Sequence, residues 1–226
     1  MKYRIVFITL LVALALSGCA TTKPSSDYGR PGELVDAALV TVNNFSADPN
    51  MTWFRNNIGQ ARAVIIFPRV VRAGFVFGGS GGSGTMLVRD QKTGEWSYPA
   101  FFSMGKGSFG FQAGVDVAEV VLMVMTQRGV DRFLSSSVQL GADASVAAGP
   151  VGTGVSAAVA DILSFSRAKG VFGGLSVEGG VITPRNEWNS AYYGRDVRTV
   201  DILISRSVSN PQANGLRTAV ARKAAQ

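Results

Sequence analysis

Two catalytic spacings overlap in one glycine-rich stretch. Gly79-Ser80-Gly81-Gly82-Ser83-Gly84 has the G-x-G-x-x-G spacing of a dinucleotide-binding turn. That turn works only when a helix follows and aims its N-terminus at a pyrophosphate. Here Thr85-Met86-Leu87-Val88 follows, which is a strand pattern. Residues 78–82 also spell G-x-S-x-G, a nucleophile elbow around Ser80, but the chain contains no histidine to activate a serine. Thr85 stands where a P-loop needs lysine. The stretch is therefore predicted to be a flexible hairpin loop between two strands. Ser103 and Lys106 fit S-x-x-K, and Lys92-Thr93-Gly94 fits K-T-G, in the reverse of the order that serine chemistry uses. Asp116 and Glu119, three apart on a strand, point to opposite faces and cannot act as an acid–base pair. Each is expected to pair with a neighbouring arginine.

The absence of histidine removes the commonest general base and the commonest transition-metal ligand. The single cysteine, Cys19, leaves no disulfide framework. No catalytic residue, metal site or cofactor is expected, and the protein is read as a non-enzyme. With 22 basic against 15 acidic side chains the net charge is +7. That suits anionic headgroups or acidic polymers, but without a clustered patch it does not imply nucleic acid.

Cys19 has a position as well as a chemistry. Lys2 and Arg4 precede an almost unbroken apolar run over residues 5–16, too short to span a bilayer and the length of a signal-peptide core. Leu16-Ser17-Gly18-Cys19 then forms a lipobox, so residues 1–18 are expected to be removed and the Cys19 thiol acylated. Ala20, rather than aspartate, after the cysteine points to a bacterial outer-membrane lipoprotein, with its domain facing the periplasm or the surface. Residues 19–30 read as an acylated tether.

The elements that follow must position any site. Leu34, Ala38, Val42 and Phe45 recur at helical spacing, and residues 49–58 form a second short helix after the Asp48-Pro49 start signal. Strands are expected over residues 64–67, closed by Pro68, and over 74–77, 85–89, 96–102 and 115–125, the last apolar on both faces over residues 120–125 and so central. A short helix capped by Thr126 covers 127–134. Residues 139–148 alternate as one strand, 152–165 and 171–177 continue as strands, and 186–193 and 197–204 look helical. The fold class is α+β, a mainly antiparallel sheet packed with a few short helices, with the domain over residues 31–206 and a loose, polar, basic tail over 207–226.

In this order, "ARAVIIFPRVVRAGFVFGGSGGSGTMLVRD", "GEWSYPAFFSMGKGSFGFQAGVDVAEVVLMVMT", "LGADASVAAGPVG" and "SRAKGVFGGLSVEGG" resemble the SYLF domain, also described as the Las17-binding or actin-regulator domain. The resemblance covers about residues 33–194. It implies a lipid-binding module, with phosphoinositide affinity in eukaryotic members and actin binding in the yeast ones, and no enzyme activity. A protein partner is the alternative it leaves open.

For an anionic headgroup, Arg167 and Lys169 beside Gly170, Gly173 and Gly174 are the first candidates, since cations and exposed backbone N–H groups can share an anion. Arg69, Arg72 and Lys106, each next to a proline or glycine turn, are further candidates. The competing reading makes Arg167 and Lys169 solvated charges that discourage edge pairing. Trp53 and Phe54, beside Arg55, either contact a membrane interface or cover the sheet, the commoner arrangement.

Overall fold

A computed structural model of the chain describes residues 29–74, 77–109, 114–149, 160–168 and 177–225. Cys19, Lys169, Gly170, Gly173 and Gly174, and most of the strands expected over 152–165 and 171–177, lie outside these residues. Among the described residues no helix is long and apolar enough to cross a membrane.

The helices are α1 (Pro31–Ala47), α2 (Thr52–Asn57), α3 (Gln127–Phe133), α4 (Asn186–Tyr193), α5 (Thr199–Leu203) and α6 (Asn214–Ala224). The strands are β1 (Ala63–Gly74), β2 (Phe77–Val88), β3 (Ala100–Phe109), β4 (Gly114–Val124), β5 (Val138–Gln139), β6 (Val146–Ala148), β7 (Ile162–Ala168) and β8 (Val181–Pro184). They form one sheet in the order β5-β8-β3-β2-β1-β4-β7-β6, antiparallel except for the β6–β7 pair. The α+β expectation holds, and β4 is interior as its doubly apolar sequence requires.

Period-two alternation gives the sheet two buried faces. Ile65, Phe67, Met86, Phe102, Val120 and Leu122 pack with Val130 and Phe133 of α3 and Ile202 and Leu203 of α5. On the other face Val64, Ile66, Leu87, Phe101, Val121 and Phe165 pack under α1, α2 and α6. The first is the α3 face and the second the α1 face. On the α3 side, buried Asp161 accepts from Thr126 Oγ1 (2.6 Å), Arg128 Nη2 (2.7 Å) and Ser145 Oγ (2.8 Å), tying the start of α3 to the segment before β6. The Arg128 guanidinium in particular holds its carboxyl well below the usual carboxylate range, against the opposing effect of burial.

Four elements differ from expectation, each for a physical reason. Pro68 does not end β1, because the register slips between Phe67 and Val70 and the bulge absorbs a residue without an N–H. The glycine-rich stretch is not a loop: residues 78–84 are the body of β2. The bulge in β1 explains two of these glycines. A Cβ on Gly82 would run into the Arg69 carbonyl, and one on Gly84 would lie 2.5 Å from Phe67 Cδ1. Residues 139–148 are not one strand, since Asp143 accepts from Gln139 N (2.7 Å) and Gly141 turns the chain at φ +90°. Its two ends therefore pair at opposite edges of the sheet, β5 with β8 and β6 with β7. The polar tail is not loose: α6 buries Leu216, Ala219 and Val220, and Arg217 lies over the Tyr98 ring at 4.1 Å while donating to the Trp96 carbonyl.

Candidate functional site

Arg167, the leading candidate from sequence, is a structural clamp. It lies on β7 directly opposite Glu119 of β4, on the face that α1 covers. Its Nη1 donates to Glu119 and its Nε to Asp48 Oδ2 (2.9 Å) at the end of α1. Thr41 and Asn44 of α1 donate to the other Glu119 oxygen (3.2 and 2.8 Å). Partial burial opposes the Arg167 charge, but the Asp48 hydrogen bond and the Glu119 charge outweigh it and leave the guanidinium more firmly protonated. With two carboxylates held already, it is neither an anion receptor nor a solvated edge charge. The three-residue spacing does keep Asp116 and Glu119 on opposite faces.

The aromatic pair beside Arg55 divides as well. Phe54 has no exposed surface and sits between Phe45 (5.5 Å) and Phe165 (5.4 Å), so it is core and not a membrane contact. Trp53 is half-buried and stacks on Phe165 at 5.8 Å.

Arg69, Arg72 and Lys106 all occupy the far half of the sheet, beyond the helices. Their faces follow from the register. Lys106, Ser80, Arg72 and Asp116 form one cross-strand row over β3, β2, β1 and β4 on the α3 face. Arg72 and Lys106 are thus two strand spacings apart, about 10 Å. Arg69 belongs to the α1 face, in a row with Ser83, Ser103 and Thr183. Beside that row lie two directly opposed glycine pairs, Gly81–Gly105 and Gly79–Gly107. A side chain placed at Gly105 or Gly107 would meet nothing within 4 Å. Among the described residues these four positions present backbone, flanked by Val71 and Ala73 of β1 and Val181 of β8.

Sequence reasoning missed Arg185. The β8–α4 junction places its Cζ 3.6 Å from the centroid of the Trp188 ring and lets Nη1 donate to Ser83 Oγ (2.8 Å). Burial depresses its pKa, and Glu187 opposes that only through its charge, making no ion pair with it among the described residues. The signal was Pro184-Arg185 three residues before Trp188, a spacing that brings a cation back over an aromatic at a helix start.

The profile of the family described as "Ysc84: Las17-binding protein actin regulator" matches residues 105–223. The chain belongs to this family. It is 36% identical over 152 residues to LAS seventeen-binding protein 3 of Saccharomyces cerevisiae, covering 64% of this chain and 33% of that protein. Protein YSC84 of the same yeast is 35% identical over 155 residues, 65% of this chain and 33% of its own length. SH3 domain-containing YSC84-like protein 1 of Homo sapiens is 31% identical over 165 residues, 70% of this chain and 48% of its own. The chain thus spans a third to a half of the length of these relatives. No solved structure matches it.

Proposed function

We propose that this member of the Ysc84 family is a lipid-anchored, non-catalytic binding module of a bacterial envelope, tethered through acylated Cys19 and holding anionic lipid at the far end of its sheet. One observation carries the reading. The register brings Arg72 and Lys106 into a single row on the α3 face, in the half of the sheet beyond the helices. Two cations at that spacing can bridge neighbouring headgroups, and their attraction is electrostatic and screened by salt.

Two experiments test the two halves. Metabolic labelling with palmitate should mark the wild type and leave Cys19→Ser unlabelled; equal labelling removes the anchor. Co-sedimentation of the Cys19→Ser protein with vesicles of 30% phosphatidylglycerol in phosphatidylcholine should fall several-fold in the Arg72→Ala/Lys106→Ala double variant. Binding that survives the double change removes the headgroup site.

A second reading, a protein partner, is favoured by the family's description as a Las17-binding protein and actin regulator and by the name of one relative, LAS seventeen-binding protein 3.

A further inference from the structure

The boundary between the α1-face helices and the bare sheet holds a cation that the lipid reading does not use. Arg185 is fixed at two points, by its stack on Trp188 and by its bond to Ser83 Oγ (2.8 Å). Ser83 is itself buried. Trp188 is braced in turn by an edge contact to Phe101 at 6.0 Å. Of the five guanidinium N–H donors one is used by Ser83, and no carboxylate lies within ion-pair distance among the described residues. Arg217, also stacked on an aromatic, differs in that two of its nitrogens donate to the Trp96 carbonyl. Fixing a guanidinium costs side-chain entropy and partial desolvation, and in Arg167 and Arg128 the chain offsets both with carboxylates. In Arg185 the Trp188 stack and the Ser83 bond do part of this, and no carboxylate among the described residues neutralises the charge.

The surroundings specify the ligand. Ser83 also stands in register with Arg69 on β1 and with Ser103 on β3, so a second guanidinium and a second hydroxyl share the same row and face. The glycine pairs Gly81–Gly105 and Gly79–Gly107 continue the floor away from the helices. Arg185 therefore sits at the foot of a step, where the helical layer rises about 10 Å above a two-strand strip of glycine flanked by Val71 and Ala73 on β1 and Val181 on β8. A planar bilayer resting on the helices is held off that floor, whereas an extended peptide lies flat on it. The arginine fork matches a carboxylate bidentately.

We propose that Arg185, supported by Ser83 and Arg69, is the receptor for an acidic side chain of a protein partner, whose extended segment lies along the Gly81–Gly105 and Gly79–Gly107 floor. The site is separate from the Arg72–Lys106 row on the other face, so its fate is independent of the lipid reading.

The probe is N-acetyl-tetraglutamate amide, with its tetraglutamine counterpart as control, titrated into the Cys19→Ser protein. Nitrogen–proton NMR is read at the Arg185 Nε–H and at the Ser83 and Gly105 amides. The glutamate peptide should shift all three saturably and the glutamine peptide should not. Arg185→Gln should weaken binding at least about tenfold, the loss expected for one charged hydrogen-bonded contact. Arg185→Lys, which keeps the charge but not the fork or the stack, should fall between. Equal shifts from both peptides, or unchanged binding by Arg185→Gln with its signals otherwise native, would overturn the proposal. So would wild-type binding by Arg185→Lys. An Arg185 signal that ignores the peptide but moves with phosphatidic acid nanodiscs would give the site to a membrane instead.

Discussion

The two halves of strands β1 to β4 obey different rules. Near the helices, residues 63–67, 85–88, 100–102 and 118–124 bury side chains on both faces, and Phe67, Phe101 and Phe102 are wholly enclosed. Farther out the same strands carry Arg69, Arg72, Ser80, Ser83 and Lys106 among glycines, and Val115 is 74% exposed. The first half supplies the free energy of folding through buried apolar area. The second contributes little to that core and presents backbone, hydroxyls and cations. One continuous set of hydrogen-bonded strands thus extends a well-packed scaffold into a surface that packing alone does not account for.

The comparison breaks first, and most visibly, in the packed half. Phe165 contacts both Trp53 and Phe54. Phe165→Ala should lose about 3–5 kcal/mol in denaturant unfolding. A loss below about 1 kcal/mol would erase the distinction between the halves.

A glycine pair sharpens it. Gly84→Ala drives a Cβ against Phe67 and should lose about 1–3 kcal/mol, whereas Gly105→Ala points into open space and should be neutral or gain up to about 1 kcal/mol. Matching thermal shifts for the two would contradict the geometry.

Acid should act through the packed half as well. The Arg128 guanidinium and the Thr126 and Ser145 bonds lower the folded-state pKa of Asp161, so the stability it gives is present above the unfolded carboxylate value of about 4. That stability is lost as pH falls below this value toward the depressed folded one. Asp161→Asn should flatten the melting temperature between about pH 4 and 2, and an unchanged acid limb would exclude Asp161 as its source.

The smallest effect concerns Tyr192, whose buried hydroxyl has no hydrogen-bond partner among the described residues. Burial pushes that phenol further toward its neutral form. Tyr192→Phe should change stability by less than about 1 kcal/mol, toward gain, since it removes an unsatisfied group. A loss above about 2 kcal/mol would mean that the hydroxyl is satisfied.

Local signals carried much of the fold into the sequence. The spacing of Leu34, Ala38, Val42 and Phe45 marked α1, Thr126 marked the start of α3 by capping Gly129 N (3.0 Å), and the apolar run in β4 marked an interior strand. What the sequence hid was non-local. Residues 78–84 read as a loop because the need for glycine at Gly82 and Gly84 comes from the β1 bulge, which lies on the neighbouring strand. Arg167 read as available because its partners, Asp48 and Glu119, are remote in sequence. Arg185 went unnoticed because Ser83 lies about a hundred residues earlier. A cation's worth as a receptor depends on which acids the fold brings to it, and the list of cations alone does not contain that.

Amide hydrogen exchange of the Cys19→Ser protein, with and without phosphatidylglycerol vesicles, bears most directly on the division of labour. The account predicts slower exchange in residues 78–83 and 103–107 when vesicles are present, with residues 63–67 and 120–124 unchanged. Protection confined to α1, α2 and α6, or none in the glycine-rich half, would contradict it.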